Sequence, residues 1–117
     1  MRPPRVSPDT SIRRGSVWWI DFDPTRGAEI QKTRPAVVLS ADAVNRVRRT
    51  VNVVPLSTGP TPRPPVIAAV SSAGQDAVAI CDQMRAVDRS RFLRLEGSLS
   101  REDLRAVEDG VRAVLQL

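Results

Sequence analysis

Short apolar segments, separated by proline, glycine and polar residues, limit what this chain can fold into. Five of them resemble strands because they are rich in β-branched and aromatic residues. They cover residues 16–22, 35–40, 51–56, 66–70 and 77–87, and the last fits one long strand or two strands broken near Asp82. Only the final segment has helical spacing, with Leu104, Val107, Val111 and Leu115 following a predicted N-cap at Ser100. This order predicts a mainly β fold, a strongly bent antiparallel sheet or small barrel with a C-terminal helix packed against it.

The chain has 117 residues, which is the size of one domain. Residues 1–14 contain four arginines and three prolines without apolar periodicity, and they are predicted to form a flexible basic arm ahead of a single domain over residues 15–117. Residues 41–49 fit either a short helix or an irregular connection. No apolar run approaches the roughly 20 residues of a membrane span, and no secretory signal follows Met1. We therefore expect a cytoplasmic protein without a membrane partner.

The residue types that are missing restrict the chemistry. The chain has no histidine, and Cys81 is its only cysteine, so histidine-dependent catalysis, an internal disulfide and a thiolate zinc cage are excluded. We expect Cys81 to be a buried strand residue and not a nucleophile. Acid and base groups must then be carboxylates, arginines, hydroxyls or water, and we expect no cofactor and no metal.

Arginine dominates the basic residues, with 17 arginines and one lysine giving a net charge of +5. The guanidinium group suits phosphate because its planar donors match two phosphate oxygens. A GC-rich coding sequence produces the same bias. Since residues 1–14 carry +3 of the charge, the remaining +2 is weak evidence for a nucleic-acid partner.

Polar residues occur at three strand boundaries. Arg34 directly precedes one predicted strand, Ser57 and Thr58 follow another, and Asp82 and Gln83 interrupt the fifth segment. An arginine and a hydroxyl at the ends of neighbouring strands can act on one phosphate, the guanidinium neutralising charge while the hydroxyl donates a hydrogen bond. Strand ends commonly carry polar residues, so this pattern alone leaves a structural explanation open.

Three segments resemble the MazF/PemK family of toxin endoribonucleases. They are GSVWWIDFDPTRGAEIQKTRPAVVLS at residues 15–40, VPLST at 54–58 and DAVAICDQMR at 76–85, and with the terminal helix the resemblance covers roughly residues 13–117. It implies an SH3-like or CcdB-like barrel that works as a homodimer. It further implies metal-independent cleavage of single-stranded RNA, mostly mRNA, at a short motif, leaving 2′,3′-cyclic phosphate and 5′-hydroxyl ends. The implied protein partner is a cognate MazE-type antitoxin that blocks the RNA groove.

The resemblance also implies roles for individual residues. Arg34 matches the family's catalytic arginine, and Ser57 stands where members have a catalytic threonine, with Thr58 as the alternative hydroxyl. Asp82 matches the general base of Kid-type members, although those members carry an arginine where this chain has Ile80. Glu29 matches a glutamate implicated in activity in a subset of members, and a solvated loop carboxylate is the alternative. The expected RNA-binding residues are Arg26, Lys32, Thr33, Thr58, Arg63, Gln83 and Arg85.

Three further questions remain open from the sequence. Trp18 and Trp19 are adjacent on a strand and face opposite sides, so one fills the core and the other lies in the core, in a dimer interface or against an RNA base. A CcdB-like toxin that binds gyrase without being an enzyme would share the fold, but the chain lacks an aromatic residue at its end. The departures at Ser57 and Ile80 also leave room for a catalytically inactive family member.

Overall fold

The computed structural model describes residues 12–117, and within them the chain forms seven β-strands and two α-helices. The strands are β1 (Ser16–Asp21), β2 (Thr33–Val38), β3 (Thr50–Ser57), β4 (Ile67–Ala69), β5 (Val78–Ile80), β6 (Arg85–Asp88) and β7 (Phe92–Ser98). The helices are α1 (Asp42–Val47) and α2 (Arg101–Leu115). The predicted mainly β fold with a C-terminal helix is confirmed. Neither helix is long and apolar enough to cross a membrane within this part of the chain.

The strands pair in an antiparallel manner in the order β4-β5-β3-β2-β1-β7, and β6 also pairs with β3. β3 divides one of its edges between two partners. Its first half pairs with β6, from Thr50 to Val53, and its end pairs with β5 at Leu56 and Ser57. Because one strand serves two successive neighbours, the sheet bends sharply along β3, which is the barrel-like geometry that the short segments predict.

Two hydrophobic clusters lie on opposite faces of the sheet, as strand alternation requires. One contains Trp18 and Ile20 of β1 together with Phe92. The other contains Val17 of β1 and is covered by Val107 and Val111 of α2. The helix starts as predicted, since the Ser100 side chain accepts a hydrogen bond from the Asp103 N–H at 3.1 Å.

Helix α2 approaches its neighbours most closely at Gly110. A Cβ atom placed there would lie 2.4 Å from the Cys81 Sγ atom and 2.4 Å from the Pro65 carbonyl oxygen. Glycine at this position therefore lets the helix contact both the turn after β5 and the proline-rich connector before β4.

Several boundaries differ from the sequence predictions. The expected arm lies outside the described residues except for 12–14, and these belong to the folded domain. Ile12 is buried with Trp18, while the Arg14 N–H donates to Asp42 at 2.7 Å and the Arg14 Nε donates to the Leu39 carbonyl at 3.0 Å. Residues 12–14 therefore pack against the domain that the sequence places at 15–117, and side-chain burial begins at Ile12.

The strand predictions need three corrections. β2 starts at Thr33 and not at residue 35, so Arg34 lies inside the strand and pairs with Ile20. Two points that the sequence left open are also decided, since residues 41–49 contain the short helix α1 and the fifth segment is two strands separated by the helical turn Cys81–Gln83. Cys81 is therefore buried in a turn and not in a strand. Strand β7 was not predicted at all.

Candidate active site

A depression of about 200 Å³ lies where the start of β2 meets the end of β3. These two ends are neighbours because β2 and β3 are antiparallel. The depression brings together four predicted site residues, Thr33, Arg34, Ser57 and Thr58. Its full lining is Trp19, Thr33, Arg34, Pro35, Leu56, Ser57, Thr58, Ala73 and Ala77.

Arg34 is half-buried at this edge of the sheet. Its Nε donates a hydrogen bond to the Gln31 carbonyl at 3.3 Å, which ties the side chain to the loop before β2. Among residues 12–117, no carboxylate forms an ion pair with its guanidinium. The terminal N–H groups therefore remain available for an anion.

Ser57 is the last residue of β3. Its hydroxyl oxygen accepts a long hydrogen bond of 3.4 Å from the Gly59 N–H. Ser57 is half-buried, whereas the next residue, Thr58, is exposed. A hydroxyl so held keeps its own proton free to donate. The arrangement at this edge can therefore bind a phosphate through one cationic fork and one or two hydroxyls.

The loop between β1 and β2 is held by the side chains of Glu29 and Gln83. One Glu29 carboxylate oxygen accepts a hydrogen bond from the Arg26 N–H at 2.5 Å. Gln83 donates from Nε2 to the Ala28 carbonyl at 3.2 Å and accepts at Oε1 from the Ile30 N–H at 3.3 Å. Both polar ends of the Gln83 side chain are thus used to fix the loop.

Two cations stand beside this loop. Lys32 adopts a left-handed backbone with φ of 66°, its N–H donates to Asp23 at 2.9 Å, and its side chain is exposed. The Arg85 guanidinium lies 5.5 Å from the centre of the Phe22 ring. Together with the exposed Arg26, they give the loop a basic rim.

Seven of the predicted residues do not line the depression, among them Asp82 and Arg63. Asp82 is exposed on the turn after β5 and is not among the lining residues. Arg63 lies in the proline-rich connector, where its N–H and carbonyl pair with Ile67 at 2.8 and 3.0 Å. The depression thus brings the arginine together with the hydroxyls, and neither Asp82 nor Glu29 lines it.

Arg94 and Glu96 of β7 were missed by the sequence predictions. The Arg94 guanidinium lies 5.1 Å from the centre of the Trp19 ring, and the Trp19 indole N–H donates to the Glu96 carboxylate at 2.6 Å. The signal was the alternation of Leu93, Arg94, Leu95 and Glu96, which is typical of a strand with one solvated face.

Cys81 shows no sign of reactivity. Burial, with a smaller contribution from the negative charge of Asp82, raises the pKa of the Cys81 thiol to about 11. Because the thiolate is the nucleophilic form, this cysteine is inert near neutral pH, as expected from the sequence.

Fold and site together define a small antiparallel β protein with a terminal helix and an arginine–hydroxyl anion site at one sheet edge. A family model for the PemK-like, MazF-like toxins of type II toxin–antitoxin systems matches residues 13–115, and the chain belongs to this family. The resemblance seen in the three sequence segments is therefore confirmed.

Individual relatives align along nearly the whole chain. Endoribonuclease MazF9 of Mycobacterium tuberculosis is 32% identical over 115 residues, covering 91% of this chain and 98% of the relative. Endoribonuclease toxin MazF of Escherichia coli K12 is 31% identical over 102 residues, covering 86% and 91%. Among solved structures, MazF of Deinococcus radiodurans has a TM-score of 0.75 at 28% identity, covering 90% of this chain and 96% of that one. The MazE–MazF complex of the same organism, in its third crystal form, gives a TM-score of 0.73 at 25% identity, covering 90% and 96%.

Proposed function

We propose that this chain is the toxin of a type II toxin–antitoxin pair and an endoribonuclease that cuts single-stranded RNA, including mRNA. The observation that carries the proposal is the meeting of Arg34 and Ser57 in one depression at the edge of the sheet. It is supported by relatives that are named endoribonucleases and align with most of the chain.

The proposed reaction is an internal transesterification. The 2′-hydroxyl attacks the adjacent phosphorus in line, the bond to the 5′-oxygen breaks, and the products are a 2′,3′-cyclic phosphate and a 5′-hydroxyl. Arg34 stabilises the charge that grows on the non-bridging oxygens, and the Ser57 or Thr58 hydroxyl donates a hydrogen bond to one of them. RNA is selected over DNA because only RNA carries the attacking hydroxyl.

The reaction also needs a base for the 2′-hydroxyl proton and a proton for the leaving 5′-oxygen. A base must reach the proton directly or through one water. We assign Asp82 as the base, acting through an ordered water because its exposed side chain does not line the depression, and solvent water donates the proton to the leaving 5′-oxygen. Glu29 serves the site indirectly in this proposal, since its carboxylate already holds the Arg26 N–H and thereby shapes the loop.

The basic rim supplies the remaining RNA contacts in the proposal. Arg26, Lys32 and Arg85 flank the loop, and Arg63 stands on the connector beyond Thr58. Each phosphate contact makes binding weaker as salt concentration rises. Among the residues described, no three acidic or cysteine side chains are grouped to hold a metal ion. Arg34 neutralises charge on the phosphate because its guanidinium lines the depression.

We further propose a homodimer as the working unit and a MazE-type antitoxin as the protein partner, both in the cytoplasm. The similar structure from Deinococcus radiodurans that contains both MazE and MazF supports the choice of partner. In this chain the end of α2 leaves Val114, Leu115 and Leu117 between 38% and 84% exposed, which is apolar surface suited to a protein partner.

The test is cleavage of a long single-stranded RNA in EDTA, with mapping of the 5′ ends. Wild-type protein should cut at a short motif and leave 5′-hydroxyl ends. Arg34→Ala should lose about 10²- to 10³-fold or more in rate, the range known for removing one donor to a developing oxyanion. Arg105→Ala is the matched control, because Arg105 is an exposed arginine on α2 away from the depression.

Each outcome bears on the proposal. Full-length RNA in the presence of folded wild-type protein would overturn the enzymatic function and favour a toxin that acts by binding gyrase or another protein. Equal loss of rate in Arg34→Ala and Arg105→Ala would contradict the role of Arg34 while leaving the nuclease activity intact.

A further inference from the structure

We propose that the Trp19 indole is a stacking platform for the nucleobase next to the cleaved phosphate, and that Arg94 and Glu96 hold it in position. This inference rests on the proposed RNA substrate and adds a positioning residue to the site. It is drawn from the geometry around β1 and β7.

The Trp19 side chain is fixed from the β7 side. In the register of the sheet, Trp19 stands between Pro35 of β2 and Arg94 of β7. The guanidinium of Arg94 lies 5.1 Å from the ring centre, and the indole N–H donates to Glu96 at 2.6 Å. An indole held by a cation–π contact and a hydrogen bond has already lost much of its rotamer freedom, so less entropy is lost when a ligand stacks on it.

The sheet face that carries Trp19 is only partly covered by α2. Val17 and Val37 on this face belong to the cluster beneath Val107 and Val111 of the helix. Trp19 and Pro35 lie two residues further along their strands on the same face and do not belong to that cluster. Trp18, on the other face, is only 2% exposed, whereas Trp19 is half-buried and lines the depression.

The neighbours of this indole favour a nucleotide over other ligands. The same depression is lined by Arg34, which has no carboxylate partner within the described part of the chain, and by the Ser57 hydroxyl. Arg34 and Ser57 can bind a phosphate while the Trp19 ring stacks on the planar base joined to it, so the combination fits a nucleotide. Base–aromatic stacking is tolerant of sequence because every base has a π-face, so Trp19 raises affinity without choosing the base.

Stacking gives a kinetic expectation. Removing one stacked base–aromatic pair weakens binding about 5- to 150-fold. Trp19→Ala should raise KM by a factor in this range and lower kcat much less, and Trp19→Phe should recover most of the loss. Leu95→Ala is the matched control, because Leu95 is a neighbouring, 52% exposed apolar side chain on β7 that does not line the depression.

Binding can be measured without cleavage by titrating a mixed-sequence 2′-O-methyl RNA oligonucleotide and following tryptophan fluorescence. The chain has two tryptophans, and the buried Trp18 is a constant background. Wild-type protein should show a saturable fluorescence change that is absent in Trp19→Phe. In a short RNA that the wild-type protein cuts, an abasic site beside the cleaved bond should weaken wild-type cleavage about as much as Trp19→Ala does, and the two changes should not add.

The outcomes separate this inference from the proposed function. An unchanged KM in Trp19→Ala, or an unchanged fluorescence response in Trp19→Phe, would overturn the platform while RNA cleavage stands. Dissociation of Trp19→Ala into monomers in sedimentation velocity, with Leu95→Ala unaffected, would place Trp19 in a contact between two copies and also overturn it. If wild-type protein binds the 2′-O-methyl RNA without cutting RNA, the nuclease proposal fails and the titration still decides the platform. If it neither cuts nor binds, both are wrong.

Discussion

Replacing Gly110 by alanine should destabilise the protein, although a glycine-to-alanine change at an exposed helical position usually stabilises the helix. The added Cβ would lie 2.4 Å from both Cys81 Sγ and the Pro65 carbonyl oxygen, whereas ordinary contact begins at 3.4 Å. The helix or its neighbours must therefore move by about 1 Å. Overpacking of this kind costs about 1 to 3 kcal/mol. We expect a cost near the upper value because the added Cβ meets two atoms at once, and the Pro65 carbonyl oxygen belongs to the backbone and cannot move away easily. After subtracting the gain of about 1 kcal/mol in helix propensity, we expect a net loss of about 2 kcal/mol.

Urea unfolding at one fixed protein concentration measures this loss. Ala113→Gly, at an exposed position of the same helix, reports the propensity difference alone and should cost about 1 kcal/mol. Adding Cys81→Ala to Gly110→Ala removes the sulfur contact but leaves the Pro65 carbonyl, so the double variant should stay less stable than Cys81→Ala. A Gly110→Ala protein as stable as wild type would refute the packing explanation.

Three other predictions concern single side chains. Cys81, with its pKa raised to about 11, should resist alkylation at pH 8 until urea unfolds the protein. Because the unfolded thiol ionises near 9.0, the contribution of Cys81 to stability should decline as pH rises from about 9 to about 11. Hydrogen bonds from Ser90, aided by Arg49, lower the pKa of Asp88. The stabilising contribution of this carboxylate is therefore present above the ordinary pKa of 3.8 and is lost as pH falls below it. Asp88→Asn should flatten the acidic part of a plot of urea midpoint against pH. Gln83→Ala removes two hydrogen bonds to the β1–β2 loop, each worth about 1 kcal/mol, and should speed amide exchange in that loop and lower the melting temperature by about 8 °C.

The sequence predicted the central strands and α2 because each buries a regular set of apolar side chains. The central strands are fully buried at Val37 and Val38 of β2 and at Val53 and Val54 of β3. Runs of β-branched residues of this kind predict buried strands from composition alone. Arg34, Ser57 and Thr58 could be placed at one edge because antiparallel pairing fixes which strand ends are neighbours. Asp82 does not line the depression because it lies on the helical turn after β5, and no comparable sequence pattern fixes the position of that turn.

Strand β7 escaped prediction because it lies at the edge of the sheet. Only Phe92 of its seven residues is buried, and charged Arg94 and Glu96 give it the composition of a loop. Charge on an edge strand is a common means of blocking unwanted pairing. The partners of Trp19 were missed with it, because the alternation of Leu93, Arg94, Leu95 and Glu96 is too short to outweigh the charge of the segment.

The pairing of β1 with β7 has a consequence for synthesis of the protein. Ser16 pairs with Ser98, so this contact joins residues more than 80 positions apart. Such high contact order slows folding, because the entropy of closing a long loop is lost before the contact forms. While the ribosome is still making the chain, Arg34 and Ser57 already have their hairpin neighbours, but the strand beside Trp19 is absent until residue 98 emerges. A nascent chain therefore holds Arg34 and Ser57 in an unfinished sheet until β7 has been synthesised.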